Sequence, residues 1–278
     1  MPELPEVEIV KRGLEGALLV DGVGARIDTL TFNRPNLRVL LPVHLPDALK
    51  GQRFSSFTRR GKYVVAFVES GAGFILHLGM SGVVKIIPKD ERYIPAKHDH
   101  VVFKMDDGGH VVFNDPRRFG FLKATTRDDW QFDDSFRGMG PEPLSNGFNG
   151  PILAERLKGR SGPIKTALLD QKIVAGVGNI YACEALYMAG ISPKRSAGSV
   201  QGKRAERLAA AIVDVLTRAI ESGGSSLKDY YQADGSLGYF QHSFKVYDRE
   251  GDIVDGKHPV VRIVQSGRST FYCPAKQR

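Results

Sequence analysis

Cysteine is nearly absent: Cys183 and Cys273, ninety residues apart, are the only two. Neither a disulfide framework nor a four-cysteine metal knuckle can be built from them, and a reduced, cytosolic setting is expected. No apolar run approaches the roughly 18 residues of a membrane span, and no internal repeat or low-complexity tract occurs. The opening MPELPEVE is acidic where a secretory signal would be basic and then apolar, so no targeting segment is expected. Stapled miniproteins, membrane proteins and chains with long disordered tails are thereby excluded. What remains is a chain of 278 residues, 42% hydrophobic and 25% charged, long enough for about two domains at roughly 150 residues each. Lysine and arginine number 39 against 31 acidic residues, a formal charge of +8, which favours a polyanionic partner.

Periodicity changes midway along the chain. Lys62 to Val68 and Phe74 to Leu78 are short apolar runs around Ser70-Gly71-Ala72-Gly73, the pattern of a β-hairpin, and His100 to Met105 and His110 to Phe113 repeat it around Asp106-Asp107-Gly108-Gly109. After one helix at the extreme N-terminus, residues 1–130 therefore read as a strand-rich domain. Residues 131–150, with Pro141, Pro143 and several Gly and Asn, read as a linker. In 151–238 the period lengthens: Leu208, Ile212, Val215, Leu216 and Ala219 form a helical stripe that Gly223-Gly224 stops. In 239–278 strands return, ending in a hairpin of Val260 to Gln265 and Arg268 to Cys273 around Ser266-Gly267.

Taken alone, MPELPEVE describes a helix start: proline suits the first turn, and Glu3, Glu6 and Glu8 sit where the helix dipole favours negative charge. A second chemistry is available to the same residues. Met1 is commonly trimmed before a small residue such as proline, which would leave Pro2 with a free secondary amine. An α-amino group titrates near 8 and a lysine near 10.4, so the terminal amine has a far larger nucleophilic fraction at neutral pH. Attack on a sugar's anomeric carbon would give an iminium, an electron sink from which strand cleavage by elimination can follow. Glu3 could protonate the ring oxygen or shuttle the amine's proton. The like charge of Glu6, or burial, would have to favour the acid form of Glu3 for that.

Six segments occur together and in order: PELPEVE at 2–8, RRGKY at 59–63, HLGMSG at 77–82, NDPRRFG at 114–120, LLDQKIVAGVGNIYACEAL at 168–186 and GRSTFYC at 267–273. In this the chain resembles the bacterial formamidopyrimidine-DNA glycosylase family along essentially its whole length. The resemblance implies an α+β fold in two domains: an N-terminal helix on a two-layered β-sandwich, then a helix-two-turns-helix domain with a β-hairpin finger. It implies a monomeric, bacterial, cytoplasmic enzyme of base-excision repair acting on duplex DNA that holds oxidised purines or abasic sites.

The same resemblance makes Pro2 the Schiff-base nucleophile, Glu3 a proton donor and Glu6 a supporting carboxylate, with Lys62 assigned to β-elimination and Arg268 to δ-elimination and phosphate contact. His77, His98, Arg117, Arg160 and Asn179 match further DNA-contacting positions. Asn179 also stands at a helix start, where N–H groups can bind phosphate. Met80, Arg117 and Phe119 match a set that fills the vacancy left by an everted base, although by residue type alone Met80 and Phe119 would be assigned to the core. Lys165 matches a substrate-pocket position, and Gly223, Gly224, Ser225 and Ser226 begin a segment resembling a mobile lid.

The finger departs from the family pattern. The usual member carries two C-x-x-C pairs on a zinc ion; here the first pair is replaced by the segment 252–258, and the last cysteine by Lys276. Cys273, with His258 and His242, falls short of a tetrahedral set, so a zincless finger and no cofactor are expected. Val260, Ile263, Val264, Phe271 and Tyr272 are the candidate packing residues of its hairpin. Two competing readings stand beside this one. An endonuclease VIII-like glycosylase for oxidised pyrimidines typically has glycine where this chain has Leu4, and lacks the Met80, Arg117 and Phe119 set. A non-catalytic, architectural DNA-binding protein would not need Pro2, Glu3, Lys62 and Arg268.

Overall fold

A computed structural model of the chain describes residues 2–225, 238–254 and 256–278. The chain divides into two compact units, Met1–Arg137 with Gly223–Tyr239, and Gly138–Ser222 with Phe240–Arg278. The residues expected as a linker are thus shared out. Phe136 packs its ring 5.3 Å from Tyr63 in the first unit, and the first helix of the second unit already starts at Gly150. The finger hairpin and the helices fall in one unit.

In the first unit, α1 (Leu4–Leu18) buries Leu4, Val7, Val10, Leu14 and Leu18 along one face, the spacing of an amphipathic helix. Two short strands, β1 (Leu19–Val20) and β2 (Val23–Gly24), and a short helix, α2 (Leu45–Leu49), flank the sheets. One antiparallel sheet has the order β10-β6-β5-β4, from β4 (Phe54–Arg60), β5 (Tyr63–Val68), β6 (Ala72–His77) and β10 (Phe121–Thr126). The other has the order β3-β8-β9-β7, from β3 (Ile27–Phe32), β7 (Val83–Ile87), β8 (Asp99–Met105) and β9 (His110–Asn114). Phe57, Phe74 and Leu122 from the first and Val84, Phe103 and Phe113 from the second meet in one core with α1. This is the expected helix on a two-layered sandwich. Both expected hairpins form, and in the first the register sets Tyr63 opposite His77.

The second unit holds α3 (Gly150–Leu157), α4 (Ile164–Leu169), α5 (Asn179–Ala189), α6 (Lys203–Glu221) and the hairpin β11 (Val261–Gln265) and β12 (Arg268–Tyr272). The expected stripe of α6 is buried, and Gly223 and Gly224 follow it at φ +75° and +79°, a conformation that favours glycine. The hairpin turns at Ser266 and Gly267, both at positive φ (+49° and +73°), as a two-residue turn of the primed type requires. Strands do not resume directly after Tyr239: Phe240–Ser243 is a 3-10 turn. Of the expected hairpin packing residues, Val260, Phe271 and Tyr272 are buried and Ile263 is half-buried, but Val264 is 69% exposed. Successive residues of a strand face opposite ways, so Ile263 and Val264 cannot both face the helices. Among the described residues no helix is long and apolar enough to cross a membrane.

Candidate active site

Pro2, Glu3 and Glu6 are all buried where α1 begins. Glu3 is the N-cap residue, and Glu6 in the first turn accepts the Glu3 N–H at 2.9 Å through Oε2, as in a capping box. The other oxygen of Glu6, Oε1, accepts the Ser225 N–H at 2.9 Å and the Ser225 hydroxyl at 3.0 Å. One carboxylate therefore ties the Pro2-Glu3 pair to the first residues of the expected lid. Gly224 lies so close that an added Cβ would stand 3.4 Å from Glu6 Oε1. Both oxygens of Glu6 face donors, which suits an orienting group. Ser226 lies outside the described residues.

Lys62 occupies the two-residue turn between β4 and β5 and is 9% exposed. Its charge reaches His77 on the neighbouring β6. Burial, and then the positive charges of Lys62 and Arg38, push the His77 imidazole down to about 4 against the opposing pull of Asp115. Its Nδ1 accepts the Gly79 N–H at 3.1 Å, so the neutral ring is also the one the geometry uses. Tyr63 lies across one side, with ring centroids 4.8 Å apart, and Phe121 stacks at 5.3 Å.

Met80 and Phe119, apolar and expected by type in a core, are 39% and 44% exposed. Each stands on a short loop, and one buried carboxylate holds both loops. Asp115, fully buried, accepts the Ser81 hydroxyl at 2.8 Å through Oδ1 and the Gly120 N–H at 2.8 Å through Oδ2. Ser81 in turn accepts the Arg117 N–H at 3.3 Å. The loop backbones touch so closely at Gly79, φ +67°, that a Cβ there would come within 2.3 Å of the Gly120 nitrogen. Arg118 takes φ +58°, and the Arg117 guanidinium lies 4.9 Å from the centre of the Phe119 ring. Met80, Arg117 and Phe119, the set expected to fill a vacated stack, are thus brought together on one clasp. His98 is half-buried beside it, its carbonyl accepting the Asp115 N–H at 3.0 Å.

In the second unit, Asn179 opens α5 and donates through Nδ2 to the Ser269 carbonyl at 3.0 Å, next to the exposed Arg268 at the start of β12. Gln171 organises the turn before α5: its Oε1 accepts the Gly176 N–H at 2.8 Å and its Nε2 donates to the Val177 carbonyl at 2.9 Å. Arg160 is exposed and pairs with Asp170 at 3.2 Å. Lys165 is fully buried. Glu184 on α5 is also buried, and burial raises its carboxyl above the ordinary value although three backbone N–H donors favour the charged form. The roles of Asp115, Ser81, Gln171 and Glu184 were not foreseen. All four lie inside the recurring segments, but their partners are set by the fold.

Two finger positions that matter to the expected zincless finger are engaged in other contacts. Cys273 is fully buried in an apolar cluster with Cys183, Tyr187, Val246, Val260 and Phe271. Lys276, where the family pattern has the last cysteine, donates its ammonium to the Tyr187 hydroxyl at 3.2 Å. Among the described residues no group of three or more His, Cys, Asp or Glu is placed to hold a metal.

Two outcomes follow from this geometry. Ser81→Ala should cost about 1–3 kcal/mol in urea unfolding and Asp115→Ala more, because it leaves both loop donors buried and unmatched. An Asp115→Ala cost below that of Ser81→Ala would remove the clasp from its central place. His77 should titrate near 4 by NMR. An unfolded histidine binds its proton from about pH 6.5 downward, so a depressed folded value makes the protein lose stability as pH falls from there, by up to about 3 kcal/mol near pH 4. A His77 titration near 6.5 would contradict this.

Family models match in order along the chain: the formamidopyrimidine-DNA glycosylase N-terminal domain over residues 1–122 and the H2TH domain of the same family over residues 139–231. The formamidopyrimidine-DNA glycosylase of Cereibacter sphaeroides is 50% identical over 287 residues, covering all of both chains. Among solved structures, the Lactococcus lactis enzyme in complex with DNA containing an abasic site superposes with a TM-score of 0.89 at 31% identity, covering 99% of each chain. A MutM protein in complex with DNA containing carbocyclic 8-oxo-G superposes with a TM-score of 0.88 at 31% identity over all of both chains. With both domains matched in sequence and a relative of this identity aligned end to end, the chain belongs to the formamidopyrimidine-DNA glycosylase family.

Proposed function

We propose that the chain is a bifunctional base-excision repair enzyme, a glycosylase that removes oxidised purines such as 8-oxoguanine and formamidopyrimidines from duplex DNA and a lyase that nicks the abasic site left behind. The name of the Cereibacter sphaeroides relative and the abasic-site and 8-oxo-G DNA held by the two neighbouring structures support this substrate class. The observation that carries the reading is the buried start of α1, where Pro2 and Glu3 are tied through Glu6 to Ser225.

With Met1 removed, the Pro2 nitrogen would attack C1′ of the damaged nucleotide while the glycosidic electron pair leaves with the base, which takes up a proton. Glu3 would deliver a proton to O4′ as the sugar ring opens, and the amine's own proton is lost, leaving an iminium between Pro2 and C1′. Loss of a proton from C2′ then expels the 3′-phosphate, and a second elimination expels the 5′-phosphate. Lys62 would serve the first elimination, Arg268 the second, and hydrolysis of the imine frees the enzyme. Met80, Arg117 and Phe119 would occupy the vacated stack and read the opposite base. His77, His98, Arg160 and Asn179 would contact DNA, Lys165 and residues 223–226 the everted base. We further propose a monomer working in the bacterial cytoplasm, with a finger that carries no zinc and no cofactor elsewhere.

Borohydride should trap a covalent complex with a duplex containing 8-oxoguanine opposite cytosine, and Pro2→Gly should reduce it at least 100-fold. An unmodified protein that traps nothing would favour the architectural reading, and activity confined to oxidised pyrimidines would favour the endonuclease VIII-like one. If Lys62, Arg117, Arg160 and Arg268 each neutralise one phosphate, log affinity should fall with log salt at a slope of roughly −3 to −4. Elemental analysis should find far less than one zinc per chain; a full equivalent, with activity lost on chelation, would overturn the zincless finger.

A further inference from the structure

A two-stranded hairpin standing alone is marginal in water, and the zincless finger proposed above leaves the one that carries Arg268 to be held by the protein's own contacts. Helix α5 supplies the grip. The Glu184 carboxylate, 2% exposed, accepts three successive backbone N–H groups from the segment leading into the finger: Lys245 at 2.8 Å through Oε2, and Val246 at 2.9 Å and Tyr247 at 2.8 Å through Oε1. One turn further along α5, Tyr187 receives the Lys276 ammonium, which bonds its hydroxyl at 3.2 Å and lies 4.5 Å from its ring centre. Gln277, 3% exposed, accepts the Cys273 N–H at 2.8 Å and donates to the Ile191 carbonyl at 3.0 Å just beyond the helix. At the other end of α5, Asn179 holds the Ser269 carbonyl.

We propose that α5 is a metal-independent clasp for the finger, with Glu184 as its anchor and Lys276 as a latch on Tyr187, and that this clasp is what presents Arg268 to the DNA. Glu184 is a positioning residue: it grips the segment entering the hairpin while Lys276 grips the segment leaving it. A positive side chain at the place of a metal-binding cysteine would repel a metal ion; here it makes a charge-assisted hydrogen bond and a cation–π contact instead. The proposal rests on the lyase reading for its functional consequence and on the finger's own hydrogen bonds for its structural one.

The decisive variant is Glu184→Gln. Its amide keeps an acceptor for two of the three N–H groups but sets an NH2 donor against the third, so the clasp loosens without a large change of volume. On duplex DNA with a single abasic site and protein in saturating excess, the ratio of β,δ- to β-elimination product should fall at least fivefold while borohydride trapping stays within twofold, because at saturation the weakened phosphate contact no longer limits binding and the covalent step requires Pro2. Hydrogen exchange should show tenfold or greater loss of protection at residues 245–247 and 261–272. Lys276→Met, a gentler change that stands in if Glu184→Gln does not fold, should lower the product ratio two- to fivefold. Neither a chelator nor added zinc should move the ratio in the wild type. Unchanged exchange and an unchanged ratio in Glu184→Gln, or a wild-type ratio that shifts with chelator, would overturn the clasp. A wild type that cannot be trapped would overturn the lyase reading instead, leaving exchange to decide the clasp.

Discussion

A carboxylate removed from water must find donors within the protein or be destabilising by several kcal/mol, and the loops of this molecule are arranged to supply them. Glu6 takes N–H groups from Glu3 and Ser225 and a hydroxyl from Ser225. Asp115 takes the Ser81 hydroxyl and the Gly120 N–H. Glu184 takes three N–H groups in a row. In each case the acid is buried, and its partners are loop groups or, for Glu6, also the N-cap N–H of its own helix, none of which a regular ladder satisfies. The loops that carry Met80, Arg117 and Phe119 are thereby held from behind by charge rather than by secondary structure.

That arrangement separates the parts of the proposed reaction by what orients them. Pro2 and Glu3 lie at the start of a regular helix, and Glu6 is itself part of its first turn. Met80, Arg117 and Phe119 have no such support. Their loops are joined by Asp115 and by the close passage of Gly79 past Gly120, and all three residues are left exposed, as the proposed entry into a duplex would require. The neutral state of His77 belongs to the same economy of charge. A protonated ring there would turn an N–H toward the Gly79 N–H and add a second positive charge near Lys62.

Much of this was legible in advance, and the limits have physical causes. Hairpins announce themselves by apolar runs around glycine-rich turns, and α6 by its stripe, because both signals are local. The segments with Pro2, Lys62, Asn179 and Arg268 could be located, since each stands in a short, distinctive motif. Val264 was misassigned because an apolar run of two does not say which residue faces inward. Met80 and Phe119 read as core by type, and only their glycine-flanked loops hint otherwise. Asp115, Ser81 and Glu184 stand in plain view in the motifs, yet Ser81 bonds Asp115 and Arg117 across 34 and 36 residues and Glu184 bonds its partners across 61 to 63, and a hydrogen bond across such distances has no sequence period.

The positive charge of the chain can be divided in the same terms. Arg117 is exposed on a loop and Arg268 at the start of β12, so a phosphate can approach them at little cost in desolvation. Arg160 already has Asp170 as a partner, and a phosphate would have to displace an exposed ion pair whose own contribution is below about 1 kcal/mol. Lys62 is different, since at 9% exposed it has already left most of its water behind. Its interaction with an incoming anion is therefore less screened by salt than that of the surface arginines. Under the proposed function the excess of cations over acids would divide into two tasks: exposed arginines would attract the polyanion and respond to ionic strength, while the buried lysine would act at short range on the sugar or phosphate beside it.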